Sequence, residues 1–270
     1  MITRLRPALR AVYERCFVFV AFLYFGAGGA LYSAISVVLY ALLPRRFGAR
    51  LGKRIIHLLL RSFLVLLRVS GVVKLDLSAL EALRGQPGQV IAPNHPCLLD
   101  AVFVIAHVPN VACIMKAEIW DNVVLGGGAR LAGYIRNDSA LNMVRLAAQE
   151  LREGRPLLVF PEGTRTRQPP INPFKGGFAL IAKRARAPIQ TVFIETNSPF
   201  LSKGWPLLQM PRFPLVYRAR LGKRFFVEGD VKAFMLELEE YYRQELTGQP
   251  VSRPPAVAHR TPAPHPGQPA

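Results

Sequence analysis

The chain has 270 residues, 51% of them hydrophobic, and carries a net charge of +18 from 35 Lys and Arg against 17 Asp and Glu. That length suits one catalytic-sized domain plus an appendage, and so large a basic excess calls for an anionic partner, either nucleic acid or anionic lipid. Cys16, Cys97 and Cys113 are odd in number and lack metal-ligand spacing, which argues against a disulfide scaffold and fits a reducing setting.

From Cys16 to Leu43 no residue is charged. Roughly 20 helical residues cross the hydrocarbon of a bilayer, so this run is long enough to span it and too short to span it twice. It lacks the cleavage site of a secretory signal and is expected to stay in the mature protein. Two arrangements fit: one tilted membrane helix, or a shallow helical hairpin broken at "GAGG" (26–29) that dips into one leaflet. Next come Arg45, Arg46, Arg50, Lys53, Arg54, Arg61 and Arg68, interleaved with "IIHLLL" and "FLVLLRV". This is the pattern of a basic amphipathic helix at a membrane surface, and it selects anionic lipid over nucleic acid as the partner. Arg4, Arg6, Arg10 and Arg15 lie on the other side of the apolar run, and the positive-inside rule leans toward a cytoplasmic catalytic domain.

The chain divides into a membrane-anchoring part (1–70), a globular domain (71–247) and a Pro-rich tail (248–270) too poor in large apolar residues to order itself. Within the domain, strand patterns at 88–94, 111–117, 155–163 and 188–196 alternate with helix patterns at 96–108, 140–154, 176–186 and 231–246. Such alternation predicts an α/β fold with a mostly parallel sheet flanked by helices, in which polar residues just past the strand C-termini face the functional crevice.

Two polar clusters fall there. In "NHPCLLD" (94–100), Pro96 suits a first helical turn, which puts His95 near the cap and Asp100 in the second turn, within reach of the imidazole. A carboxylate on one ring nitrogen leaves the other as a proton acceptor, so the pair is chemically a general base. The rival readings are a simple helix cap and a thiol nucleophile at Cys97. In "FPEGTR" (160–165), Glu162, Gly163, Thr164 and Arg165 form a turn suited to cradling an anion. Lys175 precedes two glycines and a helix start, a further anion position.

The two blocks together, behind a hydrophobic basic N-terminus, resemble the glycerolipid acyltransferase family typified by 1-acylglycerol-3-phosphate acyltransferases. "NHPCLLD" is similar to its N-H-x4-D motif, "FPEGTR" to its F-P-E-G-T-R motif, "FKGGFALIAK" to its F-K-x-G segment and "APIQTVFI" to its P-I-x-P-V block. Two positions depart from the family's pattern: in "LAGYIRND", Arg136 stands one place before the aligned basic position, which holds Asn137, and Thr191 replaces the second proline. The resemblance implies that His95, oriented by Asp100, activates an acceptor hydroxyl. It also implies that Glu162, Gly163, Thr164, Arg165, Lys175 and Arg136 bind substrate, with no metal or cofactor beyond acyl-CoA or acyl carrier protein as co-substrate. The expected acceptor is 1-acylglycerol-3-phosphate, with an amino-acid lipid, glycolipid or polyketide-type lipid as the alternative. The expected location is a bacterial inner membrane, with the catalytic domain on the cytoplasmic side. A non-enzymatic basic membrane protein is the remaining reading, and it would keep its function without His95.

Overall fold

The computed structural model describes residues 2–122 and 126–248, so the Pro-rich tail beyond Gly248 lies outside the described residues. In chain order the elements are α1 (Ile2–Leu42), α2 (Arg45–Val69), β1 (Val73–Asp76), a 3-10 turn (Ser78–Leu83), β2 (Val90–Pro93), α3 (Asp100–His107), β3 (Ala112–Lys116) and α4 (Ala117–Trp120). There follow α5 (Gly126–Leu131), β4 (Ile135–Asn137), α6 (Ala140–Arg152), β5 (Leu157–Leu158), α7 (Gly177–Ala185), β6 (Ile189–Thr196), β7 (Leu215–Phe225) and α8 (Val231–Thr247).

The seven strands form one sheet in the order β1-β7-β6-β2-β5-β3-β4. β6, β2, β5, β3 and β4 run parallel, while β7 is antiparallel to β6 and carries β1 parallel to itself. The fold is therefore α/β with a mostly parallel sheet. β2 is buried along its whole length, as a central parallel strand covered on both faces must be. β7 is different: Leu215, Tyr217 and Ala219 point inward while Arg218 is exposed, the period-two pattern of a strand with one wet face.

α1 is a single helix; "GAGG" does not break it, and the chain reverses only at Leu43–Pro44 to start α2. A hairpin within 16–43 is thus replaced by an α1–α2 hairpin. Along its length α1 is held to the rest of the molecule. The Tyr13 hydroxyl donates to the Ser70 carbonyl (2.6 Å), the Tyr24 hydroxyl meets Ser62 Oγ (2.6 Å) and the Tyr32 hydroxyl donates to the Gly52 carbonyl (3.1 Å). α2 is amphipathic as expected, but it buries Phe63, Leu64 and Leu67 in the same core as Val102 and Phe103 of α3 rather than turning that face to lipid. The bond between His57 Nδ1 and the Ile105 carbonyl (2.8 Å) fixes the same contact.

α1, α2 and α5 approach closely because small residues line their crossing. A Cβ at Gly52 would sit 2.7 Å from the Ala132 nitrogen and 2.8 Å from its Cα, and these backbone atoms cannot give way. Gly52→Ala is therefore expected to destabilise the protein by about 1–3 kcal/mol through overpacking. Gly28→Ala, where a Cβ meets nothing within 4 Å, should not. Thermal unfolding of the two variants side by side measures the difference.

Candidate active site

β2 and β5 are neighbours, with Val90 beside Leu157 and Ile91 beside Leu158, so the segments that follow them meet at the C-terminal ends of the strands. β2 delivers "NHPCLLD" and β5 delivers "FPEGTR". Asn94 is the first fixed point. Its side-chain amide donates to the Ile194 carbonyl (3.0 Å) and accepts from the Ile194 N–H (2.7 Å), extending the β2–β6 pairing one residue past the strand.

His95 Nδ1 lies 2.8 Å from Asp100 Oδ2; the imidazole is 14% exposed and the carboxylate 0%. Asp100 is the first residue of α3, not a second-turn residue as the sequence suggests. Its Oδ2 accepts the Cys97 N–H (2.8 Å), and the Leu98 N–H donates to the Leu201 carbonyl (3.1 Å), so residues 96–99 form a loop that wraps the carboxylate instead of a helical turn. Burial pushes the Asp100 pKa up, partly offset by the hydrogen bonds from His95 and Cys97. Burial, together with the charge of Asp100, holds the Cys97 thiol well above its ordinary pKa, and its S–H donates to Asp100 Oδ1 (3.0 Å). A thiol so placed is a poor nucleophile. The Phe160 ring, two residues past the end of β5, stacks on the imidazole with 3.7 Å between centroids.

Glu162 turns inward. Its carboxylate accepts the His95 N–H (2.9 Å), the Thr166 hydroxyl on both oxygens (2.8 and 2.9 Å) and the Asn172 N–H (2.8 Å). The Thr166 N–H in turn donates to the His95 carbonyl (2.7 Å), so both peptide groups of His95 are tied to the "FPEGTR" turn. Burial raises the Glu162 pKa against the pull of these donors.

Residues 74–195 match the family model described as Acyltransferase. This segment belongs to the acyltransferase family. The chain is 32% identical over 123 residues to a 1-acyl-sn-glycerol-3-phosphate acyltransferase of Helicobacter pylori, covering 43% of this chain and 52% of that protein. It is 28% identical over 155 residues to the human 1-acyl-sn-glycerol-3-phosphate acyltransferase beta, covering 55% of this chain and 49% of that protein. The chain thus spans about half the length of these curated relatives. The crystal structure of the 1-acyl-sn-glycerophosphate acyltransferase PlsC from Thermotoga maritima superposes with a TM-score of 0.61 at 21% identity. It covers 92% of this chain and 99% of that one, and shares its fold.

The acyltransferase-family domain brings most of the expected anion-binding residues to one place. Gly163 adopts φ +67°, and the Lys175 side chain crosses it so closely that a Cβ there would lie 2.8 Å from Lys175 Cδ. Thr164 is half-buried on the same turn. Arg165 donates through Nη1 to the carbonyls of Leu201 (2.8 Å) and Ser202 (2.9 Å), clamping the loop after β6. Arg136 is paired with Asp121 (2.7 Å) and Asp138 (3.3 Å). Lys116, Arg167 and Lys203, which the sequence does not single out, gather here with Arg165: the charges of Lys116, Arg167 and Arg165 all act on the Lys203 amine and lower its pKa. Lys116 could have been found, since it ends a strand at the functional edge; Lys203 comes from a loop with no local signal. An apolar cavity of about 260 Å³ adjoins the dyad, lined by Phe17 and Phe22 of α1, Leu98 and Leu99 of the dyad loop, Phe200 and Phe213 among others.

Proposed function

We propose that the chain is a membrane-associated O-acyltransferase in which His95 takes the proton of an acceptor hydroxyl as that oxygen attacks an acyl thioester. The observation that carries this reading is the 2.8 Å pairing of His95 Nδ1 with Asp100, set at the strand ends beside an apolar cavity. With Nδ1–H held by a carboxylate, Nε2 is left as the base. The C–O bond forms, the C–S bond of acyl-CoA or acyl carrier protein breaks, and the proton on His95 passes to the departing thiolate. Leu98 and Leu99 belong both to the cavity wall and to the loop between His95 and Asp100, so an acyl chain in the cavity would end beside the dyad.

Lys175, Lys116, Arg165 and Lys203 favour an acceptor that carries an anion. The names of the relatives support 1-acylglycerol-3-phosphate, with phosphatidic acid as the product. Glu162 positions His95 in this reading rather than binding the acceptor. A second acceptor class, an amino-acid lipid, glycolipid or polyketide-type lipid, is favoured by Arg136, whose charge is already met by Asp121 and Asp138 beside an uncharged Asn137.

The membrane placement follows from α1. Because that helix is tied to α2 from Tyr13 to Tyr32 and to Gly128 of α5, a perpendicular crossing would pull charged surface into hydrocarbon. Lying in one leaflet, with Phe19, Leu23 and Leu31 in lipid, avoids that cost. The flanking arginines favour the cytoplasmic face.

Purified protein in detergent, given labelled acyl donor and a panel of lysolipids, tests the assignment. Preferred transfer to 1-acylglycerol-3-phosphate is the expected result, preference for another acceptor selects the second class, and transfer to none sinks both.

A further inference from the structure

A second cavity, of about 450 Å³, opens at the other end of the sheet. Asn110 and Gly133, which precede β3 and β4, lie in its wall and mark the N-terminal edge of the strands. At a rise of about 3.3 Å per residue, the length of β3 alone separates it from the dyad end by more than about 13 Å. It is not part of the site described above.

Its wall holds Arg45, Arg46, Arg50 and Lys53 of α2, Arg155, and the carboxylates of Glu150 and Glu153. Some of these charges satisfy each other. Lys53, 4% exposed, pairs with Glu150 at 2.7 Å, and Arg155 bridges Glu150 (2.7 Å) and Glu153 (2.5 Å). Arg45, Arg46 and Arg50 are exposed and make no ion pair among the described residues, so the cavity keeps a positive excess. They occupy the opening turns of a 25-residue helix whose N-cap, Pro44, offers no side-chain cap, and the positive end of the helix dipole adds to their field.

Beside this anion-attracting pocket runs an apolar track. Leu31, Ile35, Val38 and Leu42 share one face of α1, all are exposed (Leu42 by 73%), and the track ends at the turn into Arg45. Phe47, between Arg46 and Arg50, is exposed as well. A free phosphate would use only the cations; a molecule with a phosphate and acyl chains would use both features. We propose that this pocket holds the phosphate of an anionic membrane glycerophospholipid whose acyl chains lie along the Leu31–Leu42 face of α1. It fastens to the bilayer the end of the domain that is remote from the dyad. The inference rests on the membrane placement proposed above and not on the acyl-transfer chemistry.

The test is flotation of the full chain with phosphatidylcholine vesicles, with and without phosphatidylglycerol, at low salt. Wild-type protein should prefer the anionic vesicles, and the triple variant R45Q/R46Q/R50Q should lose that preference by roughly a hundredfold, at the contribution of each basic residue near an anionic surface. Lys53 and Arg155 are left in place because their pairing with Glu150 is structural. A control variant, R145Q/R184Q/K232Q, removes the same charge from exposed positions elsewhere and should retain the preference. Equal loss in the control would mean diffuse charge and would overturn the proposal, as would a wild type without preference. Hydrogen exchange of residues 43–50 should slow with anionic vesicles but not with glycerol 3-phosphate; equal slowing by both would assign the pocket to free phosphate instead. In detergent the triple variant should keep wild-type acyl transfer. A chain that prefers anionic vesicles but transfers no acyl group would overturn the catalytic reading and leave this one standing.

Discussion

Replacing His95 by alanine is expected to lower kcat by about 10²- to 10⁴-fold, the range a positioned general base supplies, with the protein still folded. The fold should survive because the ties that fix residue 95 run through its peptide groups, to Glu162 and Thr166, and these do not depend on the imidazole. Asp100→Asn should cost a similar factor for a different reason. The carboxylate accepts hydrogen bonds from His95 Nδ1, the Cys97 N–H and the Cys97 thiol. An amide at that position has one acceptor oxygen and no charge. With the oxygen at the Oδ2 position it keeps the Nδ1–H and Cys97 N–H bonds but no longer stabilises the imidazolium that forms when His95 takes a proton; with NH₂ there it confronts both, and the ring proton moves to Nε2. Since both changes disable one unit, the double variant should be little worse than either single one. Cys97→Ser keeps a hydrogen bond to Asp100 while removing sulfur, and should remain active. Initial rates at saturating donor and acceptor, with circular dichroism as a check on folding, give the comparison. Full activity in either dyad variant would place the base elsewhere.

The pairing of His95 with Asp100 is legible in the sequence because it is local: five residues in a segment leaving a buried strand leave few ways to arrange the two side chains. The same holds for the α/β alternation, which rests on the apolar runs of β2, β3 and β6 and the helical periodicity of α6, α7 and α8. What the sequence hides is set by contacts between distant segments. The start of α3 slips four residues past Pro96 because the Leu98 N–H bonds to Leu201, a residue that no local pattern connects to it. α2 has the composition of a membrane-surface helix, yet the surface its apolar face meets is α3; periodicity shows that a face is buried, not what buries it. Likewise Arg165 and Arg136 read as free cations in the sequence, and folding gives both of them partners.

Glu162 is where the sequence motif and the geometry diverge most, and Glu162→Gln is expected to separate them. If the carboxylate binds the acceptor, the substitution raises KM and leaves kcat and stability nearly unchanged. The structure predicts the opposite. Three donors converge on its two oxygens: the His95 N–H, the Thr166 hydroxyl and the Asn172 N–H. Glutamine can accept at one oxygen only, so its NH₂ must confront at least one buried donor. A buried donor left unsatisfied costs about 1–3 kcal/mol. That destabilisation falls on the turn that holds His95, whose ring must face the acceptor hydroxyl within hydrogen-bond reach to act as a base. The expected result is a kcat lower by about tenfold to a hundredfold, because misplacement of a catalytic group is felt mainly in the reacting complex. The acceptor KM should change little and the thermal midpoint should fall. Glu162→Ala, which removes both acceptors, should lower the midpoint further. A rise in KM alone, with the midpoint unmoved, would return Glu162 to the substrate-binding role that its motif suggests.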